Sequence, residues 1–269
     1  MIPAKLRPYQ GLDQFGKAYR AMLDGDSHAP GSVDRVLAEQ MVGLCNETAE
    51  FLYQRFTPTS VSYRQGTRPQ LERIAERWSA PGTDAESVVA GVAEFCSQIG
   101  RGADNDDLDA VIVGGTEEEI IDRRFDWCTD VARVGCILCQ VASVPARLVN
   151  LADTGRAYSG HVLIEAFRGG TWGTVDTSTN VVYRQADGRP ATTWQLMNEP
   201  SCIEACGRGK CYSTPGQFRA ACIANYPVAD HRRYTYTTSK VNAYYRSILE
   251  ESARGWPGGL RWLHGEDRP

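Results

Sequence analysis

The residues RFDWCTDVARVGCILCQVASVPAR, Arg124 to Arg147, decide how the rest of the chain reads. Val131, Val134, Gly135, Leu138, Cys139 and Ala142 recur three and four apart, the spacing of one helix face. Ala132, Cys136 and Ile137 widen that stripe, so the segment is expected to be a largely buried helix. Pro145 cannot continue it and pushes Val144 into extended backbone, so Arg147-Leu148-Val149 reads as the opening of a strand. Cys128 falls where the helix begins. There the helix dipole and the free N–H groups favour a thiolate, and the same N–H groups can hold an oxyanion. Taken alone, Cys128 is a small core residue, as most cysteines are. A base and an orienting group have to come from elsewhere in the chain.

They come from the next segment. GHVLIEAF and TWGTVDT are two alternating runs joined at Gly169-Gly170, a two-residue hairpin signal. That loop pairs Arg168 with Thr171, Phe167 with Trp172 and Leu163 with Asp176. His161, Leu163, Glu165 and Phe167 then share a face with Trp172, Thr174 and Asp176. His161 and Asp176 become diagonal neighbours, about 7–8 Å apart at the backbone and within side-chain reach. A slip of one residue would put them on opposite faces. A histidine between a thiol and a carboxylate combines base, orienter and tautomer control. An aspartate in an apolar strand also needs such a partner, because a buried unpaired carboxylate is costly.

Working outward, GLDQFGKAYRAMLDG and VDRVLAEQMVGLCNETAEFLYQRF carry helical spacing, and Leu71 to Trp78 predicts a further helix that ends before Pro81-Gly82. TDAESVVAGVAEFCSQIG has Thr83 as its expected N-cap with Glu86 three residues on, and Val88, Val89, Val92, Phe95 and Cys96 as its apolar stripe. DNDDLD at 104–109 reads as a solvated turn, and Glu117-Glu118-Glu119 opens a helical turn that leads to Cys128. After Asn180 the pattern weakens. Residues 186–230 are rich in loop signals, RRYTYTTSKV alternates like a strand, and NAYYRSILEES has helical spacing.

The chain has 269 residues with a formal net charge of -4. This is enough for a full core, and nothing in the charge recommends nucleic acid or an acidic membrane as partner. No apolar run reaches the length of a membrane helix, the first residues lack a secretory apolar core, and the expected compartment is the cytoplasm. Nine cysteines is an odd count, so most are expected to be reduced thiols. Cys136 and Cys139 form a CxxC within the apolar stripe, where core packing is the expectation; redox pairs begin helices. Cys202, Cys206, Cys211 and Cys222 lack paired zinc-knuckle spacing and read as unpaired thiols in a structured loop, so no metal or other cofactor is expected.

Cys128, then SVPARLV, GHVLIEAF around His161 and WGTVD ending at Asp176 resemble the core of the transglutaminase-like superfamily in order and spacing, over about residues 83–183. That family has Gly near the cysteine where this chain has Asp126-Trp127, and Gly where Ser143 stands. The resemblance implies an α+β, papain-like fold in which the cysteine helix packs on an antiparallel sheet, with a triad of Cys128, His161 and Asp176. Residues 1–82 would be a helical N-terminal region, 83–185 the core and 186–269 a C-terminal extension. Trp127 is a candidate for lining the substrate site. The implied activity is thioester chemistry on a peptide, a small amide or a carrier-bound acyl group, ending in hydrolysis or transfer to an amine. The reading from another class is a non-catalytic binding module on the same scaffold.

Overall fold

The computed structural model describes residues 42–55, 63–99, 112–124, 128–152, 160–199, 203–207, 220–224 and 235–237. The N-terminal half contributes β1 (Val42–Gly43), α1 (Asn46–Glu50) continuing as a π-helical turn at Phe51–Arg55, α2 (Pro69–Ala75) with a 3-10 turn at Glu76–Trp78, α3 (Ala85–Cys96), β2 (Ile112–Gly114) and α4 (Glu117–Arg123). Then come α5 (Cys128–Val141), β3 (Ala146–Ala152), β4 (Gly160–Arg168), β5 (Thr171–Asp176), β6 (Val181–Gln185), α6 (Thr193–Asn198), β7 (Ile203–Gly207), β8 (Ala220–Ala224) and β9 (Thr235–Thr237). Seven strands form one antiparallel sheet in the order β1-β8-β3-β4-β5-β6-β7, and β2 pairs separately with β9. The fold is a mixture of helices and antiparallel sheet.

The α5 helix is apolar because it is covered on every side. Every residue from Asp130 to Val141 is buried. Val131, Val134, Ile137 and Leu138 join Val162, Ile164, Ala166 and Val175 from the sheet and Val88, Val89 and Val92 from α3 in one core cluster. The helix ends in a Schellman arrangement. Ser143 adopts φ 66°, the Ser143 N–H donates to Gln140 O (3.0 Å), and the Val144 N–H donates to Cys139 O (2.8 Å). The left-handed turn that glycine usually takes is here made by serine, and Pro145 follows it. A second cluster, with Val149, Leu151, Leu163, Ala221 and Ile223, joins Leu44 and Leu52 to the sheet.

Three expectations are corrected. The long helix predicted around residues 33–56 does not run through Val42 and Gly43, which instead pair with Ile223 and Cys222. Leu44 N–H donates to Ala221 O at 2.8 Å, and Cys45 caps α1 with Thr48 returning the bond, so helix begins only at Asn46. Its earlier stripe, Val36, Leu37 and Met41, lies outside the described residues. The cap of α3 is Asp84, not Thr83. Its carboxylate accepts from Ser87 N–H at 2.7 Å, which frees Glu86 to face two arginines of the sheet. The loop-rich stretch 186–230 contains α6, β7 and β8, the last of them a central neighbour of β3. GLDQFGKAYRAMLDG, the acidic turn 104–109 and NAYYRSILEES lie outside the described residues, and β9 falls within RRYTYTTSKV.

Candidate active site

The hairpin β4–β5 turns on Gly169 and Gly170, both with positive φ (56° and 79°), which only glycine adopts in succession without steric cost. Arg168 pairs with Thr171, Phe167 with Trp172 and Ile164 with Val175, so the two-residue loop sets the register. That register brings His161 Nε2 within 3.0 Å of Asp176 Oδ2. Asp176 is the last residue of β5, where the chain turns. Its other oxygen accepts the N–H groups of Ser178 (3.0 Å) and Thr179 (3.2 Å), so the carboxylate is held from both sides. Thr177, next in the chain, lies against α5: a β-carbon built on Gly135 would meet Thr177 Cγ2 at 2.6 Å. The absence of a side chain at Gly135 lets the Asp176 turn close on the cysteine helix.

Cys128 opens α5 and is half-buried. His161, bonded to Asp176, is close enough to Cys128 for the cysteine to raise the ring's pKa. Burial works against a charge on the imidazole. The hydrogen bond to Asp176 and its charge, with Cys128 beside the ring, outweigh burial and raise its pKa from an ordinary 6.5 to about 10. The ring is therefore a cation at neutral pH, with Asp176 on one side and Cys128 on the other. Cys128, His161 and Asp176 are brought together; Trp127 lies outside the described residues.

Among the cysteines whose side chains are described, Cys45 shares the half-burial of Cys128, and the others are buried. Cys96, Cys136 and Cys139 are inaccessible in the core. Burial and the charge of Cys139 hold the Cys96 and Cys136 thiols well above the usual range, and burial pushes Cys139 up to about 12 despite the nearby Arg168. Cys206 lies in β7 and Cys222 in β8, strands rather than the expected loop. Those strands are five steps apart in the sheet order. Cys202 and Cys211 lie outside the described residues.

Sequence reading missed a buried ionic cluster at the start of α5. Asp130 and Arg133 are 3% and 2% exposed, and Glu117 is fully buried. Arg133 donates to Glu117 Oε1 (3.0 Å) and Asp130 Oδ1 (3.4 Å), and Arg68 donates to Glu117 Oε2 (2.8 Å) and also pairs with Glu118. The signal was present: Asp130 and Arg133 stand three residues apart, on one face of a helix that is apolar on most sides, so the pair is buried with it.

No family model matches the chain, and no curated protein matches it. A solved structure of a candidate cysteine protease from Cytophaga hutchinsonii is 17% identical with a TM-score of 0.33, over 72% of this chain and 57% of that one. A likeness that slight carries no argument for fold or function. Among the described residues no helix is long and apolar enough to cross a membrane.

Proposed function

We propose that the protein is a cysteine-dependent enzyme that cleaves an amide or other acyl bond through a thioester on Cys128. The single observation that carries this reading is His161, held by Asp176 at 3.0 Å and raised in pKa by Asp176 and by Cys128 at the start of α5. In the first step the Cys128 sulfur, as a thiolate whose proton has passed to His161, attacks the acyl carbon, and the carbonyl electrons move onto oxygen. The first N–H groups of α5, that of Cys128 among them, are the candidate donors to that oxyanion. His161, already protonated, gives its proton to the leaving amine as the C–N bond breaks. The neutral ring then removes a proton from water or an incoming amine, which attacks the thioester and releases the thiolate. Asp176 keeps the ring oriented and stabilises its cationic form throughout.

The chemistry of Cys128, His161 and Asp176 is the same for a hydrolase and for a transglutaminase-like acyltransferase; the acceptor alone differs. Reaction with iodoacetamide at pH 7 tests the shared part. Cys128 is expected to react well above the rate of a free cysteine, with Cys128→Ala losing the fast phase and His161→Ala slowing it. A Cys128 no faster than a free thiol, unaffected by loss of His161, would sink the enzyme reading in favour of a binding module. Supplying an acyl donor with and without an amine then separates the two acceptors, since a hydrolase yields only free acid at every amine concentration.

A further inference from the structure

The turn that follows β5 carries three neighbouring hydroxyls, and none of them holds it. Thr177 Oγ1, Ser178 Oγ and Thr179 Oγ1 are buried and bond nothing among the described residues, although a buried hydroxyl left unpaired is costly. The turn is gripped instead by the N–H groups of Ser178 and Thr179 on Asp176 Oδ1, and by the methyl of Thr177 against α5. Thr177 is fully buried, and its Cγ2 fills the place where a side chain at Gly135 would begin. Cys96 Sγ of α3 lies 3.6 Å from the same point, so the seat is closed on its other side. Threonine is β-branched and stiff at χ1, which keeps the methyl where the backbone puts it. Gly135 stands seven residues after Cys128, on nearly the same face of α5 and about 10 Å along it at ~1.5 Å per residue. One helix face therefore carries the thiol at one point and the seat of the Asp176 turn at another. His161 stands between them, held by Asp176 at 3.0 Å and near enough to Cys128 to feel it.

We propose that Thr177 is a positioning residue whose methyl, seated at Gly135, sets the Asp176 carboxylate behind His161 at the working distance from Cys128. The inference rests on the reading of Cys128 as a nucleophile, and two readouts on the full chain separate the two. One is iodoacetamide alkylation of Cys128 at pH 7; the other is titration of the His161 ring followed by NMR, which needs no reactive thiol. Thr177→Ser removes the methyl and keeps the hydroxyl. It is expected to slow alkylation by about 10-fold, less than a misplacement of about 1 Å can cost, and to let the ring titrate at a lower pH than in the wild type. Thr177→Val keeps the methyl and drops the unpaired hydroxyl. It is expected to stay within about 2-fold of the wild-type rate, with the titration unmoved. Gly135→Ala/Thr177→Ala moves the methyl across the contact, where the two β-carbons would lie 3.4 Å apart, and is expected to regain part of the rate that Gly135→Ala loses. Thr177→Ser matching the wild type, Thr177→Val as impaired as Thr177→Ser, or a double variant no better than Gly135→Ala overturns the positioning role. A wild-type Cys128 no faster than a free thiol overturns instead the function on which it rests, and the ring titration then still decides the role of Thr177.

Discussion

At the scale of single residues, the pair His161–Asp176 makes a prediction whose sign is set by protons. Folding raises the His161 pKa from 6.5 to about 10, so the native state holds that proton more tightly than the unfolded chain. The stabilisation is fully present below about pH 6.5 and is lost as pH rises through about 10. Denaturant unfolding of the wild type is expected to show stability falling across this window, and His161→Gln to flatten the fall. Asp176→Asn removes the carboxylate that orients and charges the ring. It is expected to shift the fall toward lower pH and to slow Cys128 alkylation at pH 7 by roughly 100-fold, within the range of acid–base contributions. An unchanged alkylation rate in Asp176→Asn would remove Asp176 from the proposed chemistry.

At the scale of elements, α5 owes its placement to one small residue and its ending to one strained one. Gly135→Ala would drive a methyl into Thr177, which is fully buried just after Asp176. Overpacking of this kind is expected to cost about 1–3 kcal/mol in unfolding measurements and to slow alkylation of Cys128 as the Asp176 turn shifts. Ser143, at φ 66°, makes the opposite test. Ser143→Gly relieves the left-handed strain but loosens the unfolded chain, so stabilisation of up to about 1 kcal/mol is expected. This helix and the β4–β5 hairpin were legible in the sequence, because periodicity three-to-four, Pro145 and Gly169-Gly170 are local signals. The cap of α3 was misplaced by one residue because Thr83 and Asp84 are both good caps and tertiary fit chooses between them. The strand at Val42–Gly43 was hidden because its pairing partner, β8, lies almost two hundred residues away.

At the scale of the whole molecule, Glu165 ties the flanks to the core. It is fully buried on β4, and it receives Arg147 (2.8 Å) from β3, the Tyr53 hydroxyl (2.7 Å) from the N-terminal flank and the Thr193 N–H (2.9 Å) from α6. The Arg147 guanidinium lies over the Trp172 ring at 4.0 Å and near Tyr53 at 5.1 Å. Burial and the Glu165 charge push the Tyr53 hydroxyl well above its ordinary value, so it stays a donor. Glu165→Leu would leave Arg147 buried without its counterion and is expected to cost about 3–5 kcal/mol of unfolding free energy. A double change with Arg147→Met is expected to recover part of that loss. No recovery in the double variant would show that the pair matters for more than its charge.

The sequence by itself determined the buried cysteine helix, its stop at Pro145, and the hairpin register that sets His161 against Asp176. All three follow from interactions between residues close in the chain, where periodicity, proline and paired glycines act directly. Only the tertiary structure decided that Cys128 comes near enough to that histidine to raise its pKa, that Val42–Gly43 joins the sheet, and that Asp130 and Glu117 are buried. Each of these depends on partners brought from distant segments, and a buried charge announces its partner only when both are seen in place.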